Sequence, residues 1–378
     1  MDKYTKNLPT PCYVVDEELV EHNLMILKSI MDASGCKILL AQKAFSMFSM
    51  YPLLSKVLCG TTASGLYEAR LGKEEFEGEV HVFSPAYKKE DMSELLSYCD
   101  HIIFNSISQY EKFAPQAKAS GKQCGLRLNP QYSTGNHGIY DPCRSGSRLG
   151  VTLKNFNINR LSGIDGFHIH TLCEQNSDDL ERTMIATEEK FGAYFHLVKW
   201  LNLGGGHHIT RSDYDIPRLL RIIKHLQDTY QVKIYLEPGE AVVLNSGFLV
   251  TKVLDIVDND IMTAILDTSA ACHMPDVLEM PYRPEVLGAK DPSSSTNPYV
   301  YRLAGPTCLS GDIIGDYSFP APLKIGSTII FCDMALYSMV KNNTFNGMPL
   351  PAIAIHRKTG ENEIIKTFGY QDFKMRLS

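Results

Sequence analysis

Between Lys37 and Gly239 the chain alternates short apolar runs with longer amphipathic stretches, eight times over. The runs are KILLAQK (37–43), VLCGTTA (57–63), EVHVFSP (79–85), HIIFN (101–105), GLRLNP (125–130), IDGFHIH (164–170), KWLNLGGG (199–206) and KIYLEPG (233–239). Each has the length and composition of a buried strand closed by a polar, Gly or Pro residue. The stretches between them, such as 86–99 and 178–198, place apolar residues three and four apart and predict helices. Eight such units over about two hundred residues predict a (β/α)8 barrel of the TIM type. A doubly wound sheet shares the local pattern, but the count of eight and the polar strand ends favour the barrel. From about residue 245 the texture changes. Segments 247–257, 261–268, 326–334 and 351–370 read as strands and hairpins, and 288–298 as a polar loop. The expected organisation is therefore a barrel over 16–245 and a β-rich sandwich or barrel domain built from 1–15 and 246–378.

Composition narrows the function classes. A formal charge of -6 argues against broad nucleic-acid binding, which needs a surplus of Lys and Arg. It suits a small cationic substrate. The ten cysteines form no C-x-x-C pair, so zinc ribbons and thioredoxin-like motifs are not expected, and reduced, mostly buried thiols are. The first residues lack a signal-peptide apolar region and no run is long enough to cross a membrane, so a cytoplasmic protein is expected.

In barrels of this type the chemistry sits at the C-terminal ends of the strands. Those ends present Lys43, Ser64, Ser84, Asn105, Arg127, His168, His170, Gly204 to Gly206 and Glu237. A lysine closing an apolar strand, with its amine desolvated, suits Schiff-base chemistry; otherwise it marks a strand boundary. The glycine triplet lets backbone N–H groups approach an anion, or simply makes a tight turn. Glu237 is placed to keep a pyridine nitrogen protonated, or to form an ion pair in a turn. His168 and His170 share one side of a strand, an arrangement found in metal sites and equally fit to stack on a cofactor ring. Adjacent His207 and His208 do not readily converge on one ion and read as turn residues. Taken together the set offers an amine for an aldehyde, a loop for a phosphate and an acid for a pyridinium.

The sequence resembles the alanine-racemase-fold decarboxylases that use pyridoxal 5'-phosphate. The resemblance rests on AQKAF (41–45), ASGLYE (63–68), LRLNP (126–130), RLG (148–150), GFHIHT (166–171), GGG (204–206), EPG (237–239), GPTCLSGD (305–312) and Tyr337 with FNG (345–347), in the family's order along nearly the whole chain. It implies that Lys43 carries the cofactor, that His170 stacks on its ring, and that Glu237 meets the ring nitrogen. Gly205, Gly206, Gly239 and Tyr337 would complete the cofactor site, with no metal. Cys308 and Asp312 would reach the site from the second subunit of a homodimer, Cys308 assisting protonation of the substrate's Cα.

Further segments, PTPCYVVDEELVEHNL (9–24), GFHIHTLCEQN (166–176), EPGEAVV (237–243) and the tail FGYQDFKMRLS (368–378), resemble the branch that decarboxylates carboxynorspermidine and carboxyspermidine. Glu240 stands where ornithine and diaminopimelate enzymes usually carry Arg, and Leu309 where they carry an acid. A polyamine-like substrate needs carboxylates for its distal amines. Glu174, Asp276, Glu279 and Asp312 are the candidates, or else surface charges; Arg148 or Arg283 would grip a substrate carboxylate. The rivals are a diaminopimelate, lysine or ornithine decarboxylase, a non-catalytic cofactor-binding protein, and a metal-dependent hydrolase built on the histidines.

Overall fold

The computed structural model describes residues 2–135 and 138–378. The chain forms two compact units. One is Asn23–Val242; the other combines the chain up to His22 with Val243–Ser378. These limits compare with boundaries expected near residues 15 and 245. After β1 (Cys12–Asp16) come β2 (Lys37–Ala41), β3 (Gly60–Ala63), β4 (Glu79–Phe83), β5 (His101–Phe104), β6 (Gln123–Arg127), β7 (Gly166–His168), β8 (Trp200–Asn202) and β9 (Lys233–Leu236). Strands β2 to β9 pair in parallel, each with the next, and β9 closes on β2 through Lys37 opposite Tyr235. All eight expected strands are present and the barrel is closed, which removes every sheet edge.

A helix runs between β7 and β8 where the periodicity predicts one, Ser177–Phe191, and another, Ile216–Tyr230, runs between β8 and β9. Asp215 starts the second by accepting the Arg218 N–H, and Pro217 sits in its first turn. The helix expected over 86–99 is shorter, Met92–Tyr98. Ahead of it, the Tyr87 hydroxyl ties the loop to the barrel by donating to Ile103 O at 2.8 Å and accepting from Ser84 N–H at 3.1 Å.

The chain's single tryptophan packs in the barrel interior with Leu39, Ile103 and Tyr235. Trp200 is 1% exposed, and its indole N–H donates to Gln123 Oε1 at 2.8 Å. A Cβ on Gly166 would lie 2.0 Å from the indole, and one on Gly125 would lie 2.4 Å from it. The two glycines on β6 and β7 thus make the volume that the ring on β8 occupies.

The second unit is a mixed sheet. It contains β10 (Gly247–Asn259), β11 (Ile261–Leu266), β12 (Tyr299–Ala304), β13 (Ile313–Phe319), β14 (Thr328–Cys332), β15 (Ala352–His356) and β16 (Asn362–Lys366). Their order is β13-β12-β11-β10-β1-β15-β16, with β14 also paired to β10. As expected, the N-terminal strand completes this sheet, antiparallel to β10 and parallel to β15. Strand β10 is long enough to serve two partners in turn. Its first half pairs with β1 and β14, its second half with β11, and the register shifts between Val253 and Asp255. Alternation divides the apolar side chains between two cores. Tyr13, Leu249 and Phe331 pack in one; Val14, Phe248, Val250 and Ile330 pack in the other.

Candidate active site

The C-terminal mouth of the barrel gathers most of the expected side chains. Lys43 follows β2; its side chain reaches solvent yet is enclosed by protein on its other sides, as in a group lining a deep cavity. Burial lowers its pKa, and the nearby Arg127 charge lowers it further, against the opposing pull of Glu237, Cys173 and Glu240. A fraction of neutral amine at physiological pH is what attack on an aldehyde requires.

Glu237 ends β9 and is buried. Its Oε2 lies 3.1 Å from His168 Nε2 and its Oε1 accepts from Asn202 Nδ2 at 2.7 Å. Burial alone would raise its pKa, but His168, with His81 and Asn202 behind it, outweighs burial and holds the carboxyl at about 2. Burial lowers the pKa of His168, so the ring is a neutral donor and the negative charge belongs to Glu237. Asn202 also accepts the Gly204 N–H at 2.9 Å, joining the carboxylate to the glycine loop.

His170 accepts the Gly205 N–H at Nδ1 (3.0 Å), which leaves its proton on Nε2. Burial and the charges of Lys43 and Arg127 push its pKa well below the usual histidine range, so the ring is neutral and flat, as stacking requires. Arg127 donates to His170 O at 3.0 Å and lies over the Phe83 ring, 4.6 Å from its centroid. Burial lowers the Arg127 pKa to about 10, and it remains a cation at neutral pH.

In the glycine loop Gly204 and Gly206 have φ of +70° and +80°. A Cβ on Gly206 would lie 2.1 Å from Leu172 O. The Gly204 and Gly205 amides are taken by Asn202 and His170. Those of Gly206 and His207 donate to no carbonyl among the described residues. Two free N–H groups on a glycine turn form a nest for an anion. Gly239 serves close packing: a Cβ there would lie 2.5 Å from Ala44 Cβ. One oxygen or nitrogen from each of His168, His170 and Glu237 falls within 4.8 Å of the others, but Glu237 is already bound by Asn202 and His168.

Reading the sequence alone leaves out three neighbours. Asn202 interrupts the apolar run WLNL, a signal in itself. Glu68 caps the turn after β3 by accepting the Ser64 N–H at 2.6 Å; burial raises its pKa while the Lys43 charge opposes the shift. His208 is no bare turn residue, for its Nε2 lies 2.7 Å from Glu240 Oε2. Arg148 and Glu174 are exposed, and Glu174 has φ +54°.

The second unit holds the remaining expected residues. Cys308 is the exposed cysteine among ten free ones, with its N–H donated to Asn346 Oδ1 at 2.8 Å. Asp312 is buried and its carboxylate is fully occupied. It accepts from Ser269 Oγ (2.8 and 3.0 Å), Thr307 Oγ1 (2.7 Å) and Ala271 N–H (3.2 Å). Asp276 and Glu279 both pair with Lys341, and Arg283 with Asp291. Tyr337 has φ +50° ahead of the short helix Ser338–Lys341.

The family described as "Pyridoxal-dependent decarboxylase, C-terminal sheet domain" matches residues 12–335. Carboxyaminopropylagmatine decarboxylase of Synechocystis sp. is 44% identical over 373 residues, covering 98% of this chain and 96% of the relative. Carboxynorspermidine/carboxyspermidine decarboxylase of Campylobacter jejuni is 41% identical over 382 residues, 99% of this chain and all of the relative. The crystal structure of carboxynorspermidine decarboxylase from Campylobacter jejuni complexed with norspermidine superposes with a TM-score of 0.92 at 40% identity, covering 98% of this chain and 100% of that one.

Proposed function

We propose, for a chain that belongs to the pyridoxal-dependent decarboxylase family, that it removes the carboxylate of carboxynorspermidine or carboxyspermidine in polyamine synthesis. Pyridoxal 5'-phosphate is the family's cofactor, and the barrel mouth suits it: an accessible amine, two open amides and a buried anion stand in one place. Bound there, it supplies the sink for the electron pair of the breaking Cα–carboxylate bond.

Each residue's part follows from its state. Lys43, with its lowered pKa, is the amine for the cofactor's aldehyde. Glu237 stays ionised and holds a proton on the ring nitrogen; His170 lies against the ring face. The Gly206 and His207 amides take the phosphate, with Gly205 orienting His170. We assign Cα protonation to the thiol of Cys308 from the second subunit of a cytoplasmic homodimer. Its turn is held at both ends, by Asp312 and by Asn346. Exposed Leu254, Ile261, Met262, Tyr299 and Val300 on the second unit support self-association, and ten free thiols fit a reducing compartment. Glu174, Asp276 and Glu279 are the carboxylates offered to distal amines, the last two in exchange for Lys341. Asp312, already saturated, orders the Cys308 turn.

The observation that carries the reading is the buried Glu237 anion opposite an accessible lysine at the same barrel mouth. The test is CO2 release from carboxynorspermidine, carboxyspermidine, carboxyaminopropylagmatine, diaminopimelate, lysine and ornithine. Turnover of the first two above the rest supports it. Preference for carboxyaminopropylagmatine, as the Synechocystis relative's name suggests, keeps the chemistry and replaces the amine terminus by a guanidinium. Turnover of diaminopimelate or ornithine alone overturns the substrate.

A further inference from the structure

The pair His208–Glu240 has no part in the chemistry above, yet His208 is buried and Glu240 half-buried at the barrel mouth. His208 is 8% exposed, and its Nε2 meets Glu240 Oε2 at 2.7 Å. Its other ring nitrogen, Nδ1, is buried and has no hydrogen-bond partner. A buried polar atom of this kind needs a partner. The ring stands two residues beyond Gly206, and the segment is fixed from both sides. Gln175 N–H donates to Gly206 O at 2.9 Å, and His208 N–H to Gln175 O at 3.2 Å. The nearest open donors in the sequence are therefore the Gly206 and His207 amides.

A phosphate monoester bound to those amides carries a charge near -2, about -1.5 to -2 at neutral pH. Backbone dipoles alone meet such a charge poorly, and a cation beside it is the usual solution. In the barrel unit Lys43 is reserved for the aldehyde, and Arg127 is directed to His170 O and the Phe83 face. With Nε2 facing Glu240, donation through Nδ1 needs a proton on both ring nitrogens, an arrangement that suits a carboxylate on one side and a phosphate on the other.

We propose that His208, held at Nε2 by Glu240, is a further ligand of the cofactor's phosphate, donating through Nδ1 beside the Gly206 and His207 amides. The inference rests on the reading that this loop holds the phosphate. It gives Glu240 a role: the carboxylate holds the ring by Nε2 and leaves Nδ1 to the phosphate.

The test compares binding of pyridoxal 5'-phosphate and of pyridoxal to the apoenzyme, followed by the visible band of cofactor joined to Lys43. In the native protein the phosphorylated form binds more tightly. His208→Gln should weaken pyridoxal 5'-phosphate by about tenfold or more, as for loss of a charge-assisted bond, and leave pyridoxal unchanged. Glu240→Gln keeps a hydrogen bond to the ring but removes the charge, and should give a smaller loss of about threefold in the same direction. It carries the test alone if His208→Gln does not fold. Unchanged affinity for pyridoxal 5'-phosphate, or equal weakening of both ligands, overturns the proposal. A native protein that binds both ligands equally would instead overturn the assignment of the loop to the phosphate.

Discussion

The two ends of the barrel carry similar side chains to opposite purposes. At the C-terminal mouth stand Lys43, Glu237, His168 and His170. At the other end Lys37, Glu79, His81 and His101 meet at the starts of β2, β4 and β5. Each end has a glutamate held at about 2: burial pushes each up, and His81 with Lys37 more than compensates at Glu79, as His168, His81 and Asn202 do at Glu237. The difference lies in the partners. Glu79 is in contact with the Lys37 ammonium, so its charge is cancelled where it stands. Glu237 is held by His168 and Asn202, two neutral donors, and its charge remains available to whatever enters the mouth. The closed end is also filled. His81 stacks on His101 at 3.9 Å between centroids, and His101 on Trp200 at 5.1 Å. The mouth leaves its lysine open to solvent. A polar cluster becomes a site when its charges are left uncancelled and its volume unfilled.

The largest effects should come from the mouth. Lys43→Ala should reduce turnover by at least about 10^3-fold, some 4 kcal/mol of barrier, with little change in melting temperature. Glu237→Gln keeps the size and one of the two accepted hydrogen bonds but removes the charge; turnover should fall by about 10^2 to 10^4-fold, measured with saturating cofactor. A loss under tenfold would mean that the charge is not what the mouth contributes.

The closed end should answer in stability instead. Gly166→Ala drives a methyl into Trp200, and should cost about 1–3 kcal/mol in denaturant unfolding, or prevent folding. A neutral result would show that the ring has room to move. His101 should give the smallest effect at neutral pH and show itself only in acid. Burial, with the His81 charge, lowers its pKa from 6.5 to about 2. The unfolded chain therefore binds the proton more readily, and stability is full above pH 6.5 and falls as pH drops toward 2. The slope is up to about 1.4 kcal/mol per pH unit. His101→Phe should flatten the stability profile between pH 6.5 and 4 and leave turnover at neutral pH unchanged. An equally steep profile would assign the acid sensitivity to His207 and His273, both lowered to about 4 by burial.

Much of this contrast was legible in the sequence, because a strand's end is marked by the residue that breaks its apolar run. Lys43, His170, the glycine triplet and Glu237, which the structure gathers at the mouth, are marked in that way, and so is the eightfold alternation. What stayed hidden depends on contacts distant in sequence. His208 and Glu240 are 32 residues apart, and no local pattern links them. Asp312 looked like a substrate ligand because it is an acid in a matched motif; only its hydroxyl and amide partners reveal that its oxygens are used. The helix expected from residue 86 starts later because Tyr87 binds backbone groups of neighbouring strands, which overrides local periodicity.

The central claim is that Lys43 is the lysine that takes the cofactor. Borohydride reduction of the holoenzyme, followed by proteolysis and peptide mapping, tests it directly. The account predicts the reduced cofactor on the peptide containing Lys43 alone; attachment to another lysine, or to none, would contradict it.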